Sequence, residues 1–397
     1  MDVTIVIPTY NEKDNIPALV AKIRQAMRDH PWTYEILFVD DSRDDTPALL
    51  ERLSREQPQV RYIHREHERG LASAVVRGFQ ASSGRSIIVM DADLQHPPEL
   101  IPLIVQRLSQ ADIVIPSRFI EGGSDGGLNA FRKFVSWAAR MIGQIALKKL
   151  RNISDCTSGY FGLNRSVIDG ADLDPVGWKI LIEVLAKGRF GAIHEIPYAF
   201  VLRNAGESKM SAAEQWNYIR HIAKLVLNSP EDYRFYCFCL FGLLGVGVNL
   251  LALNLLVDAV HMAKPLASVS ASLIALLHNF IWNDNVTWKS HDSSAWWQRM
   301  LKLPQYALIC GIGVAITALS AQAFVLLDWN LYAGQFTGIL LATHWSFTAN
   351  NWWTWSAQTQ AQAQITQEHA EILPSLGARD GKLQVLEIEE SSNDQIR

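Results

Sequence analysis

Ser86-Ile87-Ile88-Val89-Met90-Asp91-Ala92-Asp93-Leu94-Gln95-His96-Pro97-Pro98-Glu99 is the stretch on which the fold turns. A short apolar run opens it, as a buried strand would, and polar residues follow at once. Two carboxylates one residue apart at a strand end can converge on one hard cation when the chain turns. The Gln95 amide oxygen can join them, and such oxygen-only ligation suits Mg²⁺ or Mn²⁺, which keep water and bridge substrate phosphates. A solvated turn leading into a helix opened by Pro97-Pro98 uses the same residues. For Asp-x-Asp in isolation that turn is the expected reading.

Outward from this stretch, β-rich runs at residues 3–7, 35–39, 60–63 and 112–115 alternate with helical periods at 15–27 and 71–82. Apolar strands alternating with helices predict a parallel sheet covered on both faces. Ligands of such sheets gather beyond the carboxyl ends of the strands. The polar residues Tyr10 to Glu12, Asp40-Asp41 and Asp91 to Gln95 all follow strand ends. The pattern predicts an α/β domain over residues 1–211 with a site at that edge.

The 397 residues carry 36 Lys and Arg against 40 Asp and Glu, a net charge of −4. That balance argues against broad electrostatic attachment to nucleic acid, so no nucleic-acid partner is expected. From Ser356 onward seven acids face three bases, which makes 356–397 an acidic tail, expected to be disordered. Four cysteines, two of them in an apolar run, make no disulfide framework. Residues 235–257, 265–283, 303–327 and 329–355 contain no Asp, Glu, Lys or Arg. Each is long enough to cross a hydrocarbon core of about 30 Å, which predicts four spans over 235–355 with tryptophans near their ends. The loop between the second and third runs carries Lys289, Arg299 and Lys302, so the positive-inside rule places it, the first domain and the tail in the cytoplasm. The chain opens without a basic, apolar leader, in keeping with that orientation.

Two stretches mix basic and apolar residues at helical spacing, 131–150 and 216–227, and residues 212–234 are expected to form a juxtamembrane amphipathic helix. Such helices lie in the membrane interface or pack on the sheet. Asn279-Phe280-Ile281-Trp282-Asn283 and Asn350-Asn351-Trp352-Trp353-Thr354-Trp355 echo one another at the ends of spans two and four. Duplicated hairpins would produce that echo, and so would chance in a Trp-rich region.

The company of Asp91-Ala92-Asp93 decides its reading. Pro8-Thr9-Tyr10-Asn11-Glu12, Val39-Asp40-Asp41-Ser42 and Arg69-Gly70-Leu71-Ala72, in this order, resemble the family 2 inverting glycosyltransferases. Their nucleotide-sugar domain is Rossmann-like, of GT-A type. Ser117-Arg118-Phe119, Ser158-Gly159-Tyr160-Phe161 and Arg203-Asn204-Ala205-Gly206-Glu207-Ser208-Lys209 are similar to the polyprenyl-phosphate sugar transferases of the dolichyl-phosphate mannose synthase type. The membrane region resembles the four-helix GtrA type.

The resemblance implies that Pro8, Tyr10, Glu12, Val39 and Asp41 hold the nucleoside. Asp91, Ala92 and Asp93 would meet the diphosphate and its Mg²⁺ or Mn²⁺, with Gln95 as third ligand. Arg203 and Lys209 would face the diphosphate, Arg118 and Arg132 the acceptor phosphate, and Arg118 the nucleotide sugar as well. Asp93, Arg118 and Arg132 would carry the catalysis. Asp40-Asp41-Ser42-Arg43-Asp44-Asp45 departs from the family's loop, which more often has Gly or Asn before Ser and Pro after it.

The implied activity is transfer of mannose from GDP-mannose to a dolichyl or undecaprenyl monophosphate in the bilayer. UDP-glucose or another nucleotide sugar is the alternative donor. A lipid-linked sugar translocator with a ligand-binding cytoplasmic domain is the alternative of another class. A lipid monophosphate is already anionic near neutral pH, its second pKa being about 6, so no general base is required.

Overall fold

The structure is a computed structural model and describes residues 1–126, 130–200, 212–289 and 296–360. In chain order it contains β1 (Val3–Thr9), α1 (Ile16–Met27), β2 (Tyr34–Asp40), α2 (Thr46–Glu56), β3 (Val60–His64), α3 (Leu71–Ala81) and β4 (Ser86–Val89). Next come α4 (Ile101–Arg107), β5 (Ile113–Ser117), α5 (Ala130–Ala146), β6 (Phe161–Asn164), α6 (Ile180–Lys187), β7 (Ile193–Pro197) and α7 (Ala212–Asn228). The helical remainder is α8 (Pro230–Asn254), α9 (Lys264–Trp282), α10 (Trp296–Met300), α11 (Leu303–Leu326) and α12 (Leu331–Ala349).

Seven strands form one sheet in the order β3-β2-β1-β4-β6-β5-β7. Side chains alternate across it: Val3, Ile5 and Ile7 enter the core under α1, while Val6 enters the core under α3. On α1, Ile16, Leu19, Val20, Ile23 and Met27 recur at helical spacing and are all buried, and Pro17 starts the helix where no N–H partner is lost. Truncating Ile23 to alanine would leave a cavity costing about 2–5 kcal/mol.

The expected wholly parallel sheet is corrected in one place. β6 runs antiparallel to both β4 and β5, whereas the other pairings are parallel. Phe161-Gly162-Leu163-Asn164 is four residues long, and its Gly and Asn offset the strand preference of Phe161, so propensity gave only a weak strand signal. β7 was also outside the sequence reading.

α7 buries Tyr218, Ile222 and Leu225 in the core of the sheet domain, and its Trp216 and Leu227 are exposed. Phe134, Trp137 and Ile145 are likewise exposed on α5 while Ala139 and Ala146 pack inward. Both helices therefore carry two apolar faces, and the alternatives of interface or sheet packing each describe one of them. Ser229 alone separates α7 from α8. Its Oγ donates to Asp232 Oδ2 at 2.6 Å, and Lys148 N donates to Asp232 Oδ1 at 3.0 Å.

Residues Pro230–Ala259, Lys264–Thr287 and Leu303–Leu326 form helices long and apolar enough to cross a membrane, with mean hydropathies of 2.2, 1.4 and 2.0. α12 is uncharged but interrupted by Gln335, Thr337, Thr343 and His344. Among the described residues three helices thus meet the length and apolarity of a span, and α12 does not, where four spans were expected. α9 and α12 each end in a π turn, Asn283–Thr287 and Asn350–Thr354. In each, the last Thr hydroxyl donates to the first Asn at 2.7 Å. The tryptophans that follow, Trp288 and Trp355, stack at 4.3 Å with planes 3° apart. Trp288 Nε1 donates to Asn351 Oδ1 at 2.7 Å, and Trp355 Nε1 donates to Asp284 Oδ1 at 2.9 Å. The echo is thus structural, but residues 283–288, not 279–283, match 350–355. At Gly245 a Cβ would lie 2.3 Å from Asn279 Oδ1, so only glycine lets α8 approach α9 this closely.

Candidate active site

The carboxyl ends of β1, β4 and β5 open into a cavity of about 1210 Å³. Of the residues singled out by sequence, Pro8, Tyr10, Glu12, Asp41, Asp91, Ala92, Asp93, Gln95, Arg118 and Arg132 all line it. Val39 does not: it is fully buried within the core under α3, because alternation along β2 turns its side chain inward. Its expected contact with a nucleoside is corrected to packing. Arg203 and Lys209 lie outside the described residues.

The Asp91–Gln95 turn depends on Leu94 at φ 61°, a left-handed conformation rare for leucine and characteristic of strained functional loops. Gln95 N–H donates to Asp93 Oδ1 at 3.1 Å. Asp91 N–H donates to His96 Nδ1 at 3.0 Å, which assigns the neutral ring's proton to Nε2. Burial pushes the His96 pKa down, against the pull of Asp91 and Asp93. His96 stacks on Tyr160 at 5.1 Å, whose hydroxyl donates to Pro97 O at 3.0 Å. At Gly159 a Cβ would stand 3.1 Å from Asp91 Oδ2, so the glycine leaves room for that carboxylate.

The residues fit a hard cation that the substrate helps to hold. Asp93 is 7% exposed, and both acids face the same cavity. Among the described residues no three His, Cys, Asp or Glu side chains gather as a complete cage. Two carboxylates with further oxygen ligands from phosphates and water make an ordinary Mg²⁺ or Mn²⁺ environment.

Arg118 and Asp155 form a two-bonded pair, Nε to Oδ2 at 2.8 Å and Nη2 to Oδ1 at 3.0 Å. Asp155 is fully buried, and its own N–H and that of Ser154 donate to Glu195. Asp41 receives Arg65 Nε at 2.7 Å and Nη2 at 2.6 Å, and Gly70 N–H at 3.1 Å. Lys179 lines the cavity, donates to Thr157 O at 2.8 Å and holds its Nζ 3.9 Å from the Trp178 ring centroid. Burial first, and Arg118 second, lower the Lys179 pKa to about 8. Sequence reasoning missed Asp155, Arg65 and Lys179. Lys179 had a faint signal, as a lone cation opening the apolar run Ile180-Leu181-Ile182.

Residues 4–170 match Glycosyl transferase family 2, and residues 237–355 match the GtrA/DPMS transmembrane domain. Dolichol-phosphate mannosyltransferase of Pyrococcus furiosus is 38% identical over 90% of this chain and 100% of its own length. Undecaprenyl-phosphate mannosyltransferase of Micrococcus luteus is 34% identical over 53% of this chain and 88% of its own. Among solved structures, glucosyl-3-phosphoglycerate synthase of Mycobacterium tuberculosis covers 57% of this chain and 79% of its own, with 20% identity and a TM-score of 0.45. On the strength of the full-length match and the two domain matches, this membrane protein is a glycosyltransferase, and the chain belongs to the dolichol-phosphate mannosyltransferase family, with a family 2 catalytic domain followed by a GtrA/DPMS membrane domain.

Proposed function

We propose that the protein transfers mannose from GDP-mannose to a polyprenyl monophosphate, dolichyl or undecaprenyl, with inversion at the sugar carbon and with Mg²⁺ or Mn²⁺. The carrying observation is the single cavity that gathers Asp91, Asp93 and Gln95 with Arg118 and Arg132. Asp91, Asp93 and Gln95 would hold the ion. Bound there, it would stabilise charge on the departing diphosphate. Pro8, Tyr10, Glu12 and Asp41 would hold the nucleoside, with Ala92 against the diphosphate and Arg203 and Lys209 as its cations. Arg118, held in one orientation by Asp155, offers a planar donor to the acceptor phosphate beside Arg132. That phosphate's anionic oxygen attacks the sugar carbon opposite the diphosphate, so no side chain needs to remove a proton.

An acceptor with a long isoprenoid tail stays in the bilayer, since exposing each CH₂ costs about 0.8 kcal/mol. The exposed Phe134, Trp137 and Ile145 on α5, beside the start of α8, favour a catalytic domain lying against the membrane face. Residues 1–211 would form that domain, 212–234 the juxtamembrane link and 356–397 the acidic tail. Four crossings with the catalytic domain cytoplasmic fit both the basic middle loop and the hydrogen bond from Arg234 Nη2 to Gln358 O, which joins the foot of α8 to the chain after α12.

Incubating the purified protein with undecaprenyl or dolichyl phosphate, either metal, and GDP-mannose beside UDP-glucose tests the reading. Mannosyl lipid from GDP-mannose is expected. Product from UDP-glucose alone would replace the donor. Lipid-linked sugar transport that survives Asp93→Ala, without any sugar-lipid synthesis by the parent protein, would point to a translocator.

A further inference from the structure

Resting on that reading of the acceptor side, we propose that Lys179 is a third cation of the acceptor-phosphate subsite, binding the monophosphate of the polyprenyl lipid together with Arg118 and Arg132. Lys179 and Arg118 are mounted on one short segment. Arg118 grips Asp155, and Lys179 donates to the carbonyl of Thr157 two residues later. Both side chains line the same cavity as Arg132. The backbone bond to Thr157 uses one of the three ammonium donors. The Trp178 ring beneath Nζ supports the cation on its other side.

Charge explains what this arrangement awaits. Asp155 gives both of its oxygens to Arg118, and Asp91, the next acid that acts on Lys179, belongs to the cation site, which leaves the lysine with donors for an arriving anion. A phosphate monoester brings up to two negative charges and three acceptor oxygens, enough for a forked arginine and a lysine at once. The nucleoside side of the cavity, at Tyr10 and Asp41, belongs to β1 and β2, whereas Arg118 ends β5 and Arg132 lies on α5. Lys179 therefore serves the acceptor side.

Titration calorimetry in detergent with farnesyl monophosphate, and separately with GDP, tests the assignment on the full chain. Lys179→Met should weaken farnesyl phosphate binding by about tenfold or more, as loss of a charge-assisted contact does, and leave GDP affinity unchanged. Lys179→Arg should restore part of the loss. Where methionine disturbs folding, Lys179→Gln keeps a donor for Thr157 O and should show the same selective loss. Equal affinity of the variants and the parent for farnesyl phosphate overturns the proposal, as does a loss confined to GDP. If the parent itself binds GDP but no farnesyl phosphate, the acceptor reading falls and takes this assignment with it. If it binds farnesyl phosphate but not GDP, only the donor is wrong and the lysine comparison still decides.

Discussion

Two arginine–aspartate pairs flank the cavity, alike in geometry and opposite in polarity. At one end Asp41 faces the cavity and Arg65, almost fully buried, grips it from behind. At the other end Arg118 faces the cavity and the buried Asp155 grips it. The cavity-facing partner sets what each end attracts: an acceptor of hydrogen bonds at the first, a donor to anions at the second. The hidden partner fixes direction and offsets the charge of the residue it grips. Presenting a charge from a buried pair keeps it oriented in a way that a solvated side chain is not.

Removing a hidden partner is the most direct way to break the comparison. Asp155→Ala leaves Arg118 without its brace, and sugar transfer should fall by about 10²–10³-fold, the scale of losing one aligned electrostatic group. Turnover with saturating donor reads this, and nucleotide affinity should hold. The matching change at the other end, Arg65→Met, strands the Asp41 carboxylate. It should destabilise the fold by about 3–5 kcal/mol, seen as a lower midpoint in thermal unfolding, and weaken nucleotide binding more than acceptor binding. Should Arg65→Met weaken the acceptor instead, the two ends are not specialised as described.

A third ion cluster lies away from the cavity and sharpens the contrast, because Glu183 and His221 at its centre are both fully buried. Glu183 accepts from His221 Nε2 at 2.6 Å, Lys187 Nζ at 2.8 Å and Asp174 N at 2.9 Å, tying α6 to α7. Burial alone would raise the Glu183 pKa, but these bonds win and bring it from 4.5 to about 2. The folded value lies below the unfolded one, so the stabilisation is complete above pH about 4.5 and is lost as pH falls towards 2. Amide exchange in α7 should accelerate across that window, and Glu183→Gln should flatten the response. The smallest effect belongs to Trp288→Phe, which keeps the stack on Trp355 but deletes the indole bond to Asn351. A loss of about 1 kcal/mol in detergent unfolding is expected, with transfer activity retained.

What was legible in the chain follows the range of the forces involved. β1 to β5 and the loops at their ends are local, since apolar runs and turn residues carry them, and Asp91, Asp93 and Arg118 were found there. β6 depends on neighbours: its four residues become a strand because β4 and β5 lie on either side. The same is true of the hidden partners. Arg65 and Asp155 sit 24 and 37 positions from the residues they hold, with nothing local to mark them. Val39 was misread for the reverse reason, as part of a polar-ended motif whose alternation turns it inward. The repeat in the membrane region was visible as shared letters, but its register needed the crossed indole bonds.

Ser229 leaves a single residue between a helix rooted in the core of the sheet domain and one long and apolar enough to cross a membrane. A joint that short, locked through Asp232, has no slack. With α8 long and apolar enough to cross a membrane, such a joint would hold the cavity mouth at one height above the bilayer whatever the lipid. Splicing a few flexible residues at that point would uncouple the two bodies while leaving every side chain in the cavity intact.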